Sequence, residues 1–379
     1  ADALLAEAER RHHDDALRTT DVHEPLTIAC RALEETARLT PLGRWATQRY
    51  LRRLLDVRIR LELHRRAEPA VEEERITAPV FVVGAPRTGT TVLHRLLAAD
   101  PAHRVPEGWE FTLPLPPPEP ATHDTDPRIA AATDELVFPQ SVTVGLRSIH
   151  TYSARMPKEC LSAMAFSLRT EELISRYHVP AYAGWLHQAD KGPAYAIHRL
   201  VLQVLQQRMP TRRWVLKSPV HLQSLPELLA AYPDARFVVT HRDPVPVLAS
   251  VSSLVATLRS AFSDHVDPLA IGRYHLDLYG RSLDRLVDHA ETDLLPPGRT
   301  VHVRHADLLD DPVRVVRTVY DQLGMPHDPA IDTAVHAELA TARDDEAGAH
   351  RYDPADFGLD PATVAATFER YRTRFLGES

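Results

Sequence analysis

Residues 80–91 read Val80-Phe-Val-Val-Gly-Ala-Pro-Arg-Thr-Gly-Thr-Thr91. Val80–Val83 is a short apolar run, the pattern of a strand buried on both faces of a parallel sheet. Gly84 starts a tight turn, and Gly89-Thr90-Thr91 opens a helix running through His94, Leu96 and Leu97 toward Asp100-Pro101. Strand, glycine turn and helix N-terminus together make an anion cradle. Free backbone N–H groups converge there and the helix dipole favours negative charge. Gly84 and Gly89 keep the glycine spacing of a nucleotide P-loop, G-x-x-x-x-G-K-[ST]. Thr90, however, stands where that motif has its lysine, and the positive charge lies in the turn at Arg87. The exchange speaks against an ATP or GTP hydrolase and for a different phosphate-bearing donor.

Working outward, Arg213-Trp-Val-Leu-Lys-Ser-Pro219 reads as a strand whose C-terminal end delivers Lys217 and Ser218. A helix over about Leu222 to Ala231 follows. Tyr232-Pro-Asp-Ala-Arg-Phe-Val-Val-Thr240 is then a further buried strand, ending in His241-Arg242-Asp243-Pro244. Asp243 suits a helix N-cap and Pro244 the first helical position. Arg242 therefore sits at a strand end, and Ser250 about two turns into the next helix. An arginine with a hydroxyl partner in that place can grip a second phosphate.

These two blocks resemble the sulfotransferases that use 3′-phosphoadenosine 5′-phosphosulfate (PAPS), in their bacterial branch, which is related to the tyrosylprotein sulfotransferases. Gly84-Ala-Pro-Arg-Thr-Gly-Thr-Thr91 looks like the family's 5′-phosphosulfate loop, with Arg87, Thr88, Gly89, Thr90 and Thr91 as its ligands. Arg242 and Ser250 look like its 3′-phosphate pair. Leu216-Lys217-Ser218-Pro219 and the following "PELLAAYPDARFVVTHRDP" match the same branch. The likeness continues more weakly through Val301–Leu309 and Phe357–Leu359, covering roughly Ala78 to Phe375. It implies a three-layer, P-loop-like α/β fold with a mostly parallel central sheet. The implied division is an N-terminal helical region (1–75) and a sulfotransferase domain (76–379), with a helical insertion at 105–190 placed to build an acceptor pocket or lid.

The implied reaction moves the sulfuryl group of PAPS to a hydroxyl of a small molecule, lipid or carbohydrate and releases adenosine 3′,5′-bisphosphate (PAP). Negative charge then grows on the bridging oxygen and the departing phosphate, where fixed positive groups help most. Arg87 and Lys217 are the candidates, and no metal is required. The acceptor proton needs a base. In related enzymes a glutamate follows the loop helix, and here Glu107 and Glu110 stand in "RVPEGWEF". Glu110, between Trp109 and Phe111, is favoured, since apolar surroundings raise a carboxyl pKa toward working pH. His198 and His221 are alternatives. His350-Arg351-Tyr352 is a candidate closure over the 3′-phosphate or adenine. The competing readings are a P-loop kinase or ATPase, and a nucleotide-binding protein without catalysis.

Composition fits these expectations. The chain has 379 residues, 44% hydrophobic, enough for a large core. A net charge of −8 gives no reason to expect nucleic acid, and no run is long enough to span a membrane. Ala1-Asp-Ala-Leu-Leu-Ala-Glu reads as an acidic helix rather than a secretory signal. Cys30 and Cys160 are far apart, so the expected compartment is the reducing cytoplasm. Nothing sets an oligomeric state. Lys158, Lys191 and Lys217 are the only lysines among 44 basic residues. With arginine the default cation, a lysine at a strand end in the cleft stands out. "RWATQRYLRRLLDVRIRLELHRR" is an amphipathic helix with a solvated basic face. Proline-rich "LPLPPPEP", at the start of the insertion, is expected as a stiff surface loop.

Overall fold

The computed structural model describes residues 1–143, 146, 153–210, 212–344 and 352–377. Its centre is one five-stranded sheet: β1 (Val80–Val83), β2 (His103–Arg104), β3 (Arg213–Lys217), β4 (Arg236–His241) and β5 (Thr300–Arg304). Their spatial order is β2-β3-β1-β4-β5, and every pairing is parallel. The expected α/β fold with a parallel central sheet is therefore present. Only β2, two residues on the edge, had no apolar run to announce it.

Alternation along the strands divides the core into two. Phe81 and Val83 face one apolar cluster, with Leu216, Phe237 and Val239. Val80 and Val82 face the other, with Val215, Val238 and Val301. Helices Thr90–Ala98 and Pro312–Gln322 cover the second face through Leu93, Leu96, Leu97, Val316 and Val319. Helices Pro41–Ala67, Gly192–Gln206 and Pro244–Ser260 cover the first. Full burial of a phenylalanine such as Phe81 contributes about 1.5–3 kcal/mol. The N-terminal helices share this larger cluster: Ala8, Leu26 and Leu54 belong to it with Phe81.

Register aligns the strand ends. Val82 pairs with Lys217, Val83 with Val239, and His241 with Arg304. The turn after β1, Lys217 and Arg242 thus leave the sheet at one edge. The chain goes from β1 outward to β2, and β3-to-β4 crosses over β1. Reversals of this kind open a crevice beyond the carboxyl ends of the strands.

The insertion is helical, as expected, but its proline-rich stretch departs from expectation. Pro114, Leu115, Pro117 and Pro118 are buried. Proline supplies no N–H, so the carbonyls of this segment find arginine donors instead. Arg60 bonds the Leu115 carbonyl (2.8 Å) and Arg128 the Leu113 carbonyl (3.1 Å). The long basic helix is accordingly not all solvated face: Arg58 is buried against Glu62 (3.1 Å), while Arg52 pairs with Glu7 nearer the surface.

Candidate active site

The turn after β1 depends on two glycines. A Cβ at Gly84 would stand 2.2 Å from the Thr240 hydroxyl, so only glycine lets the turn lie against β4. Gly89 has φ 92° and caps the helix Thr90–Ala98. Arg87 also adopts a left-handed conformation, φ 66°, which an arginine holds only when its surroundings fix it. Those surroundings are the second block. Arg242 Nη1 donates to the Arg87 carbonyl (2.8 Å), and Arg87 Nε donates to Ser250 Oγ (3.2 Å). The sequence suggested two separate grips. The structure instead joins Arg87, Arg242 and Ser250 into one connected unit.

The threonines divide their work. Thr88 is turned inward, donating to the Ala85 carbonyl (2.7 Å) and meeting Thr240 Oγ1 (2.6 Å). Its hydroxyl therefore braces the turn. Thr90 is buried at the helix start, while Thr91 is exposed and meets Lys217 Nζ at 3.3 Å. Asp243 caps the helix Pro244–Ser260 by accepting from Val245 N (3.2 Å), as its sequence position suggests.

A cavity of about 220 Å³ opens beside this loop, with Pro86, Thr91 and Lys217 in its wall. Val251, Leu254, Val255 and Leu258, one stripe of the helix that also carries Ser250, line its apolar side. Tyr274, Leu278 and Tyr279 from helix Pro268–Glu291 continue that side. The polar side comes from the insertion as Lys158, Glu159, Glu171, Glu172 and Arg176. Glu159 Oε1 accepts from Lys217 Nζ at 2.5 Å. Glu172 accepts from Tyr50 (2.5 Å) and Ser162 (2.6 Å). Burial pushes the Glu172 carboxyl up, but Arg176, Lys158 and these hydroxyls outweigh it and bring its pKa to about 2. Burial raises Glu171 to about 7, with Gln223 and Lys191 only partly offsetting. Desolvation lowers Lys158 despite Glu172 nearby.

Neither favoured base lines this cavity. Glu110 is 1% exposed, bonded to Arg104 Nη2 (2.7 Å) and to the Glu107 backbone N–H (2.9 Å). With Glu107 at the N-cap, it forms the capping box of the short helix Gly108–Thr112. Burial pushes Glu110 up, yet His123, Arg104 and the Glu107 N–H outweigh it and its pKa falls. The expected rise is thus reversed, because the carboxylate also meets His123 and a buried cation, Arg104, stacked on Trp214. Burial does raise Glu107, but its carboxylate accepts from Trp109 Nε1 (2.7 Å). His198 and His221 are fully buried, bonded to Tyr232 (2.6 Å) and Tyr195 (2.9 Å), and desolvation pushes both pKa values down. His350 and Arg351 lie outside the described residues.

Residues 79–329 match the model of the sulfotransferase family. The chain belongs to that family. It is similar to the crystal structure of sulfotransferase STF1 from Mycobacterium tuberculosis, at 31% identity over 98% of both chains and a TM-score of 0.83. It is also similar to sulfotransferase STF9 from Mycobacterium avium: 26% identity, 99% of this chain and 96% of that one, TM-score 0.84. Among curated proteins it is 28% identical over 264 residues to the omega-hydroxy-beta-dihydromenaquinone-9 sulfotransferase Stf3 of Mycobacterium bovis. That match spans 65% of this chain and 63% of the relative's length.

Sequence reasoning missed the polar wall. One signal pointed to it: scarcity makes every lysine here informative, and Lys158 stands in Pro157-Lys158-Glu159-Cys160 beside the carboxylate that meets Lys217.

Proposed function

We propose that this protein transfers the sulfuryl group of PAPS to a hydroxyl on a small, largely apolar acceptor and releases PAP. One observation carries the reading: Thr91 and Lys217 belong at once to the anion-binding edge and to the wall of the cavity. A donor group held on the loop would therefore face whatever fills the cavity. The residues suit such a donor. Gly84 permits close backbone approach, the N-terminus of helix Thr90–Ala98 favours an anion, and Arg87, Arg242 and Ser250 offer guanidinium and hydroxyl groups for a 3′-phosphate. PAPS, when bound, supplies the activated sulfuryl group.

The chain's own contribution is placement and charge. Arg242 and Ser250 hold the 3′-phosphate end, the loop amides hold the 5′ end, and Lys217 stabilises negative charge on the bridging oxygen. The apolar stripe at Val251, Leu254, Val255 and Leu258 favours a hydrocarbon or aromatic body for the acceptor. A lipid acceptor fits this wall better than a free sugar. Stf3, by its name, acts on a menaquinone. Among the described residues no helix is long and apolar enough to cross a membrane.

The test is incubation with PAPS and a panel of aliphatic, phenolic and sugar alcohols, in EDTA, read by mass spectrometry. Sulfated aliphatic or phenolic products with equimolar PAP are expected. An absolute need for a divalent metal, or phosphoryl transfer from ATP, would overturn the reading.

A further inference from the structure

With neither Glu107 nor Glu110 in the wall of the cavity, the acceptor proton still needs a base. We propose that Glu159 is the catalytic base, held by Lys217 until the donor binds; this rests on the PAPS reading above.

Location comes first. Glu159 lines the cavity with its side chain 30% exposed, whereas that of Lys217 is 3% exposed. Lys217 bridges Glu159 (2.5 Å) and Thr91 (3.3 Å). The carboxylate is thus one lysine away from the anion loop, on the acceptor side. A base must lie within hydrogen-bond reach of the hydroxyl it serves, and this is where that hydroxyl has to be.

Positioning is equally specific. Cys160 N donates to the Lys217 carbonyl (3.0 Å), so the peptide after Glu159 is fixed to the end of β3. On the other side, Lys158 N donates to the Pro106 carbonyl (2.8 Å) and Gly108 N to the Met156 carbonyl (3.0 Å). The capping box of Glu107 and Glu110 shapes that second anchor. The glutamates expected to act as bases instead steady the segment that presents one.

The other carboxylates of the cavity are differently engaged. Glu172 is held by Tyr50 and Ser162. Glu171 has Gln223 and Lys191 as partners. His275 is bonded to Ser252 (2.9 Å) and His94 to the Val215 carbonyl (3.0 Å).

Lys217 leaves Glu159 for the oxygen that bridges sulfur and phosphorus. Glu159, with Lys217 drawn away from it, gains proton affinity at the moment it is needed. The acceptor oxygen forms its bond to sulfur and passes its proton to Glu159. The bond from sulfur to the bridging oxygen breaks, and that oxygen keeps the electron pair as part of PAP, beside Lys217. Besides Lys217, the titratable groups around Glu159 are Lys158, Cys160, His94 and Tyr279, with Glu172, Arg176 and His275 on the remaining walls.

The experiment compares wild type with Glu159→Gln in three readouts. PAP affinity by calorimetry should not weaken in the variant. With aliphatic alcohols kcat should fall by about 10²-fold, and the loss should shrink with nitrophenols, whose proton needs less help. Carboxyl NMR of ¹³C-labelled glutamate, with the Glu159 signal assigned by its loss in Glu159→Gln, should show its titration midpoint rising when PAP binds. A purely structural residue would show neither the acceptor-dependent loss nor that rise. Retention of kcat across all acceptors, or a midpoint that PAP leaves unmoved, overturns the assignment. A wild type that binds PAP no better than AMP overturns the PAPS reading instead.

Discussion

The edge proposed for the nucleotide and the cavity proposed for the acceptor share Lys217 and one helix, yet they are built in opposite ways. The edge is made of backbone: a glycine turn, a helix N-terminus and a capped strand-to-helix junction, each within about ten consecutive residues. The cavity is made of side chains drawn from the insertion and from helices Pro244–Ser260 and Pro268–Glu291. A backbone site demands particular residues at fixed spacing. A cavity wall demands only that something apolar face inward, and many residues satisfy that. On Pro244–Ser260 the two logics are adjacent: Ser250 faces Arg87, and Val251 faces the cavity.

The largest expected effect strikes the shared residue. Lys217→Ala should lower kcat by about 10²–10³-fold with every acceptor, because the lost charge stabilisation belongs to the leaving group. Dependence of that loss on acceptor acidity would move Lys217 to the acceptor side. Next comes stability. Glu110→Gln leaves Arg104 buried without its anion and should cost about 3 kcal/mol of unfolding free energy. Its sign with pH follows from the depressed carboxyl. Stability from Glu110 is complete above the ordinary value of 4.5 and is lost as pH falls through the lower folded value. Denaturant titrations should therefore show the wild type converging on the variant below pH 4.5. A variant of unchanged stability would return Glu110 to the list of candidate bases. The smallest effect is confined to the cavity. Val255→Phe should raise acceptor KM by about tenfold and leave PAP affinity alone. Weakened PAP binding in that variant would mean the helix does not keep its two faces apart.

The sheet was legible because its strands are apolar runs ending in punctuation: Gly84, Lys217-Ser218-Pro219 and Asp243-Pro244. The strand β2 was not, since two residues, His103 and Arg104, carry no periodicity. At the site, Arg87, Arg242 and Ser250 were legible as parts but not as one connected unit, because their contacts cross more than 150 residues. Glu110 misled for a physical reason. Local apolar neighbours suggested a raised pKa, while the groups that lower it lie outside that run: His123 from the insertion, and Arg104 from a strand too short to see, fixed by Trp214 on the next strand. Glu159 escaped because its partner stands 58 positions away, and only the rarity of lysine marked its neighbour Lys158.

The central claim is that one edge of the sheet recognises a 3′-phosphorylated nucleotide, and calorimetry tests it most directly. Wild type should bind PAP about ten- to a hundredfold more tightly than AMP, the 1.5–3 kcal/mol of a charge-assisted hydrogen bond. Arg242→Ala should lose that preference. It should also weaken AMP itself, since Arg242 holds the Arg87 carbonyl and with it the 5′ loop. Equal affinities of the wild type for PAP and AMP would contradict the account.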